Sequence, residues 1–298
     1  MVKVETAKNV LRIIVTTLII SVSFYITKFG LCSEEFNRNA EHFGGKETPI
    51  SPPDDYAKKE ARIIKMGEEL TYKNMMVAKE AQGLVENPGI IVGKITVTNA
   101  YSGISERHSA NIIIYIENMN GNNYKPVQKR HVKLTEHIAF TKEKGIPSEP
   151  PIMDQWNVEF IPHILPVLKG SIVDFPNTDT VRHNVYSPVP LPGTKRILSL
   201  GTYNPEVIKT VRLNKSGEIP LRCNVHQEMS AVIVVLDNPY FTLTNKKGEF
   251  MIDNVPPGKY TLKTWHEKYK PVSMKVTVEP NQTIEVELPT ISEKRDAR

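Results

Sequence analysis

The sequence predicts a mainly β protein, two β-sandwiches in tandem behind one amphipathic helix and an apolar N-terminal segment. Three observations predict it. Runs rich in β-branched residues recur from Gly89 to Leu288, separated by Gly, Pro, Asn and Asp, which is the punctuation of antiparallel sandwiches. The 22 prolines suit strands and loops better than a helix bundle. Only one stretch outside the N-terminus, Asp54 to Glu86, carries apolar residues at helical spacing.

The first element is the N-terminal segment. Lys3, Lys8 and Arg12 precede an apolar run from Ile13 to Thr27, the basic and apolar regions of an export signal. The run is short for a membrane span, which needs about 20 residues. Extended back to Val10 it takes in Arg12, whose stem can snorkel to the interface. Cys32 stands where a lipoprotein is lipidated, but Leu31 is bulky where a small residue is usual, and no A-x-A-like site occurs. A cleaved signal peptide within residues 1–30 and an uncleaved anchor through residues 10–27 both stay open. Either one places the bulk of the chain in the periplasm or another extracytoplasmic compartment, secreted or membrane-anchored.

Residues 31–52 are polar and read as a linker. In the helix that follows, Ile63, Met66, Leu70, Val77, Ala81 and Leu84 fall near one face. Pro52-Pro53-Asp54-Asp55 starts it and Asn87-Pro88-Gly89 stops it. Strands are predicted at Ile90–Val97, Ala110–Glu117, Trp156–Pro162, Val167–Phe175, Val207–Leu213 and Ala231–Leu236, with Lys169-Gly170 as a hairpin turn. After Leu236 come shorter strands around the turns Asn245-Lys246-Lys247-Gly248 and Pro256-Pro257-Gly258. They read as a β-module of about fifty residues, small for independent stability and expected to pack on the domain before it. The expected boundaries are 1–30, 31–88 for linker and helix, 89–237 for the first sandwich, 238–290 for the second, and a charged tail at 291–298.

The formal charge is +5, of which residues 1–30 hold +3 (four basic residues against Glu5), leaving +2 for the rest. That is no electrostatic footprint for nucleic acid. There is no C-x-x-C-H for covalent haem, no P-loop, no dinucleotide fingerprint and no G-x-S-x-G elbow.

Of the two cysteines, Cys32 and Cys223, only the second lies in the folded part. An exported protein with one such thiol exposes it to oxidation unless it is buried or holds a metal. Arg222-Cys223-Asn224-Val225-His226-Gln227-Glu228-Met229 places a thiol, an imidazole and a thioether within seven residues, between two predicted strands. A loop can aim all three at one point, which a strand with alternating side chains cannot. Soft sulfur donors with imidazole favour copper, and two His, one Cys and a weak axial Met make the blue-copper electron-transfer set. Zinc fits less well, since closed zinc sites use Cys, His and carboxylates rather than Met. The second imidazole is His183, forty residues upstream, after the turn Pro176-Asn177-Thr178-Asp179.

Phe160-Ile161-Pro162, Gly170-Ser171-Ile172-Val173-Asp174-Phe175-Pro176-Asn177 and His183-Asn184-Val185 together resemble the cupredoxin, or plastocyanin-like, pattern. The resemblance covers roughly residues 90–237 and implies a Greek-key β-sandwich. It also implies one type 1 copper held by His183, Cys223, His226 and, axially, Met229, with His226 at the electron exit. The spacing departs from plastocyanin's H-x4-M, because here it is H-x2-M. The shorter loop resembles bacterial cupredoxin-like proteins labelled methylamine-utilisation proteins. These continue into a carboxypeptidase-regulatory-like, or transthyretin-like, module, which Gly248-Glu249-Phe250 and Val255–Leu262 resemble. Glu228 remains an alternative axial donor.

Two functions are then expected of such a chain. One is single-electron carriage between exported redox partners, such as a cytochrome or a larger oxidoreductase. The other is a non-catalytic accessory or assembly subunit of an extracytoplasmic redox complex. No enzyme activity is expected, because four protein ligands leave no open coordination position. His163 reads as a structural or supporting residue beside the core, and His266 as a surface or packing residue of the second module, with an interdomain metal contact left open. His42, His108, His131 and His137 lie in polar contexts that carry nothing specific.

Overall fold

The computed structural model describes residues 54–99, 103–104, 111–119 and 150–294. The export or anchor segment, Cys32, most of the linker, and His42, His108, His131 and His137 lie outside them. Among the described residues no helix is long and apolar enough to cross a membrane.

Helix α1 spans Asp54–Glu80, six residues short of the expected stop. Ala81 and Gln82 bond back three residues, to Ala78 and Lys79, and Gly83 takes a left-handed φ of 72°. This is the tightened last turn and glycine cap that satisfy final carbonyls, so Gly83 ends the helix before Pro88 is reached. The C-terminal half is docked. Ala78 is buried, and the Asn74 amide bonds the backbone of Ile152 in both directions, at 3.0 and 2.8 Å. Ile64, Tyr72 and Met76 are exposed.

Four strands follow, β1 (Gly89–Lys94), β2 (Val97–Asn99), β3 (Gly103–Ile104) and β4 (Ile113–Ile116). The middle of the chain supplies β5 (Asp154–Trp156), β6 (Glu159–Ile161), β7 (Ile164–Leu168), β8 (Ile172–Pro176) and β9 (His183–Pro190). It continues with β10 (Ile197–Tyr203), β11 (Ile208–Arg212), β12 (Gly217–Arg222) and β13 (Ser230–Leu236). The last six are β14 (Phe241–Leu243), β15 (Glu249–Val255), β16 (Gly258–Trp265), β17 (Ser273–Val278), β18 (Thr283–Glu287) and β19 (Ile291–Ser292).

The middle strands form a five-stranded sheet in the order β10-β9-β12-β13-β7, with the pairs β11-β8 and β5-β6 beside it. Phe175, Val185, Ile219, Leu221 and Ile233 fill the core between them. Strands β9, β10 and β12 are not apparent in the sequence. Pro188, Pro190 and Pro220 interrupt two of them, and the third is mostly solvent-facing. Lys169-Gly170 is not a hairpin turn. Strand β7 pairs with β13 whereas β8 pairs with β11, so this turn carries the chain from one sheet to another, with Gly170 at φ 88°.

The boundary expected at residue 89 is corrected by the strand pairing. Strand β1 lies between β15 and β18 in one sheet, and β4 lies between β14 and β16 in another. Strands β1 and β4 therefore build the outer sandwich together with the strands after 240, and among the described residues the middle sandwich begins near residue 150. This answers the size problem of the C-terminal module. Its core holds Ile91, Ile95, Ile112 and Ile114 beside Tyr260 and Leu262. The β-branched runs are strands, as their composition predicts, but local sequence does not encode which distant strand each one meets.

The sandwiches are fused through β13. Its inner residues Ala231, Ile233 and Val235 face the middle core, and Val232, Val234 and Leu236 pack with Ile113, Phe241 and Trp265. Burial on both faces explains why this strand is a continuous apolar run rather than an alternating one. Each large aliphatic buried there contributes about 1.5–3 kcal/mol.

One turn is strained. Between β5 and β6, Asn157 and Val158 both take left-handed φ values, 53° and 61°, as a two-residue hairpin of this hand requires. Asn tolerates the conformation, whereas for branched Val158 it costs about 1–2 kcal/mol. The Val158 side chain packs against the middle core, which offsets part of that cost.

Candidate metal centre

One end of the five-stranded sheet gathers the chemistry. His183 opens β9, opposite Tyr203 at the end of β10. Cys223 directly follows β12, and Arg222 is paired with both Tyr186 and Ser230. The loop from Cys223 to Met229 is therefore pinned at both ends, and an inner turn closes it, Met229 N–H donating to the His226 carbonyl at 3.1 Å.

His183, Cys223 and His226 come together so that their ligating atoms all lie within 4.8 Å of one another. The two rings meet edge-on, with centroids 4.8 Å apart and planes at 60°, and their Nδ1 atoms face each other at 3.1 Å. His183 is fully buried, Cys223 nearly so, and His226 is half-buried. The Asn184 backbone N–H points at the Cys223 sulfur from 3.4 Å and so orients it. Among the described residues this is the one group of three or more His, Cys, Asp or Glu side chains so arranged. One sulfur and two imidazole nitrogens held this close in a mostly buried site fit a metal ion that takes soft and borderline donors.

Of the two axial candidates, Met229 is buried in the same core cluster as Cys223. Glu228 is exposed and outside the ligating group. The support around the site is not evident from the sequence. Asp179 reads there only as part of a turn, yet its Oδ2 faces His183 Nε2 at 2.9 Å. The D-x3-H spacing is the signal that could have found it. Burial raises the Asp179 carboxyl, but bonds from Val158 N–H, His183 and Thr180 N–H outweigh it, and the group sits below the ordinary carboxylate range. Tyr203 lies beneath, donating its hydroxyl to the Phe175 carbonyl at 3.1 Å and accepting from Gln155. Burial pushes its phenol well above the usual range, against the Gln155 bond.

The remaining described histidines stand apart from this group. His163 lies in the bend between β6 and β7. It faces the Ser230 carbonyl and Glu267 of the outer sandwich, each at 2.8 Å. His266 stacks on Tyr269 and its Nδ1 accepts the Lys268 N–H at 3.1 Å.

Residues 229–289 match the carboxypeptidase regulatory-like domain. No curated protein matches the chain. Among solved structures, the chain is similar to a reduced Cu(I) form of an amicyanin mutant, with 21% identity and a TM-score of 0.27 over 28% of this chain and 79% of that one. It is also similar to a Cu-containing nitrite reductase from Thermus scotoductus, with 20% identity and a TM-score of 0.28 over 30% of this chain and 23% of that one. At such TM-scores the functional reading rests on the donor set, not on these likenesses.

Proposed function

We propose that this chain binds one copper ion of type 1 character and carries single electrons between redox partners outside the cytoplasm. His183, Cys223 and His226 would hold the ion in a trigonal set, with Met229 as the weak axial ligand. The observation that supports this most is the convergence of two imidazoles and one thiol within 4.8 Å. When bound, copper supplies a one-electron couple, and a site rigid enough to suit both oxidation states needs little rearrangement between them. Cys223 would be the strongest electronic contact. His226, half-buried where His183 is fully buried, would be the edge that a partner approaches. Such encounters use small, weak interfaces. With four protein ligands no substrate position is open, so no catalytic role is proposed.

The test is a Cu(II) titration of the purified protein with visible spectroscopy, alongside Cys223→Ala. An intense thiolate-to-copper band, one equivalent per chain and absent from the variant, is the expected result. No band and no bound metal would overturn the copper reading and leave the accessory-subunit reading, with the fused sandwiches acting as a scaffold.

A further inference from the structure

We propose that Asp179 is a positioning residue that fixes the tautomer of His183, and that the strained Asn157-Val158 turn holds Asp179 in place. The inference rests on the reading of His183 as a metal ligand.

A carboxylate only accepts hydrogen bonds. Asp179 Oδ2 lies 2.9 Å from His183 Nε2, with the His183 side chain fully buried and the Asp179 side chain 9% exposed. The ring therefore keeps its proton on Nε2. That leaves the lone pair on Nδ1, the atom that faces His226 inside the ligating group. A histidine whose far nitrogen is held this way enters a site already oriented and with a more basic donor atom.

Asp179 is itself fixed from three directions. Oδ2 also accepts the Val158 N–H at 2.9 Å, and Oδ1 accepts the Thr180 N–H at 2.7 Å. The Asp179 backbone N–H donates to the Gln155 carbonyl at 3.0 Å. The Val158 contact gives the strained turn a use. In this left-handed turn the Val158 amide is presented to Asp179. Strain held by its surroundings beside a functional group is a recognised way of aiming one.

The experiment pairs two readouts on the full chain. Long-range ¹⁵N NMR of chelator-treated protein reads the His183 tautomer, and competition titration reads Cu(II) affinity. The wild type is expected to carry the His183 proton on Nε2. In Asp179→Asn, the amide must face either His183 or the Thr180 N–H with a donor. The variant is expected to mix tautomers and to lose about 10- to 100-fold in affinity while keeping its circular dichroism. Val158→Gly retains the amide and relieves the strain, so its affinity is expected to stay within about twofold of the wild type. Wild-type protein with the proton on Nδ1 overturns the inference, whether or not copper binds. So does an Asp179→Asn variant with unchanged tautomer and affinity. A loss in Val158→Gly as large as that in Asp179→Asn overturns the part assigned to the turn. Failure of the wild type to bind copper overturns the functional reading instead, and the tautomer then decides the Asp179–His183 relationship alone.

Discussion

The indole N–H of Trp265 donates to Oε1 of Glu218 across 2.6 Å, joining β16 of the outer sandwich to β12 of the middle one. The ring itself is buried at the seam with Ile113 and Phe241. Glu218 is exposed, so water can replace the lost donor. Trp265→Phe is expected to lower unfolding free energy by about 1 kcal/mol. Trp265→Ala, which empties the seam, is expected to cost about 3–5 kcal/mol. Urea denaturation of the two variants checks this. Equal losses would mean that the hydrogen bond, not the packing, holds the sandwiches together.

Gly93 sits in β1 with strands on both sides, and a Cβ there would meet the Val286 carbonyl at 2.4 Å and the Phe250 ring at 2.7 Å. Neither backbone nor a buried ring yields cheaply. Gly93→Ala is expected to destabilise by about 1–3 kcal/mol or more, seen as a lower thermal midpoint. The copper spectrum should be unchanged, because the strand belongs to the other sandwich.

The two sandwiches differ in how much of each is legible in the sequence. Cys223 and His226 are close in the chain, and a short pinned loop leaves them little freedom, so their spacing marks two members of the group that His183 completes. Met229, on the same loop, lies buried in the core cluster that holds Cys223. His183 is readable because few imidazoles follow a strand of the right kind. Asp179 is not, since a carboxylate in a turn looks like any other until its partner is seen. The strands at 89–116 are recognisable as strands from their β-branched residues. Their placement depends on parallel pairing of β1 with β18, nearly two hundred residues away, and no local pattern carries that.

His266 predicts an acid-sensitive outer sandwich. Burial holds its pKa down to about 4 from an ordinary 6.5, helped by Lys268, His163 and Lys294 and opposed by Glu267. The unfolded chain therefore takes up a proton near 6.5 that the folded chain refuses until about 4. Stability falls as pH drops through that window and loses nothing further below it. Asp179 and Glu267, held below their ordinary ranges, lose their contributions at lower pH. His266→Asn keeps an acceptor for the Lys268 N–H without titrating. The difference in urea midpoint between about pH 7.5 and about pH 5 is expected to shrink in this variant relative to wild type. An unchanged difference would assign the acid loss to other groups.

Met229→Leu separates packing from ligation. The two side chains are close in volume, so stability of chelator-treated protein is expected to change by less than about 1.5 kcal/mol. If Met229 is the axial ligand, the visible band and the redox potential both move while Cys223 still binds. An identical spectrum and potential would remove Met229 from the set.

The antiparallel pairing of β4 with β14, Tyr115 opposite Phe241, means that the chain leaves the outer sandwich and re-enters it at adjacent strands. During synthesis, residues 89–116 emerge from the ribosome well before the strands that will flank them. Strand β1 cannot be enclosed until Thr283–Glu287 has been made. The middle sandwich, contiguous from 154 to 236, can close while the earlier strands still wait. The sandwich that carries His183, Cys223 and His226 can thus close before the outer one, so a nascent chain released short of residue 283 would hold those three residues in place while β1 still lacked its β18 partner.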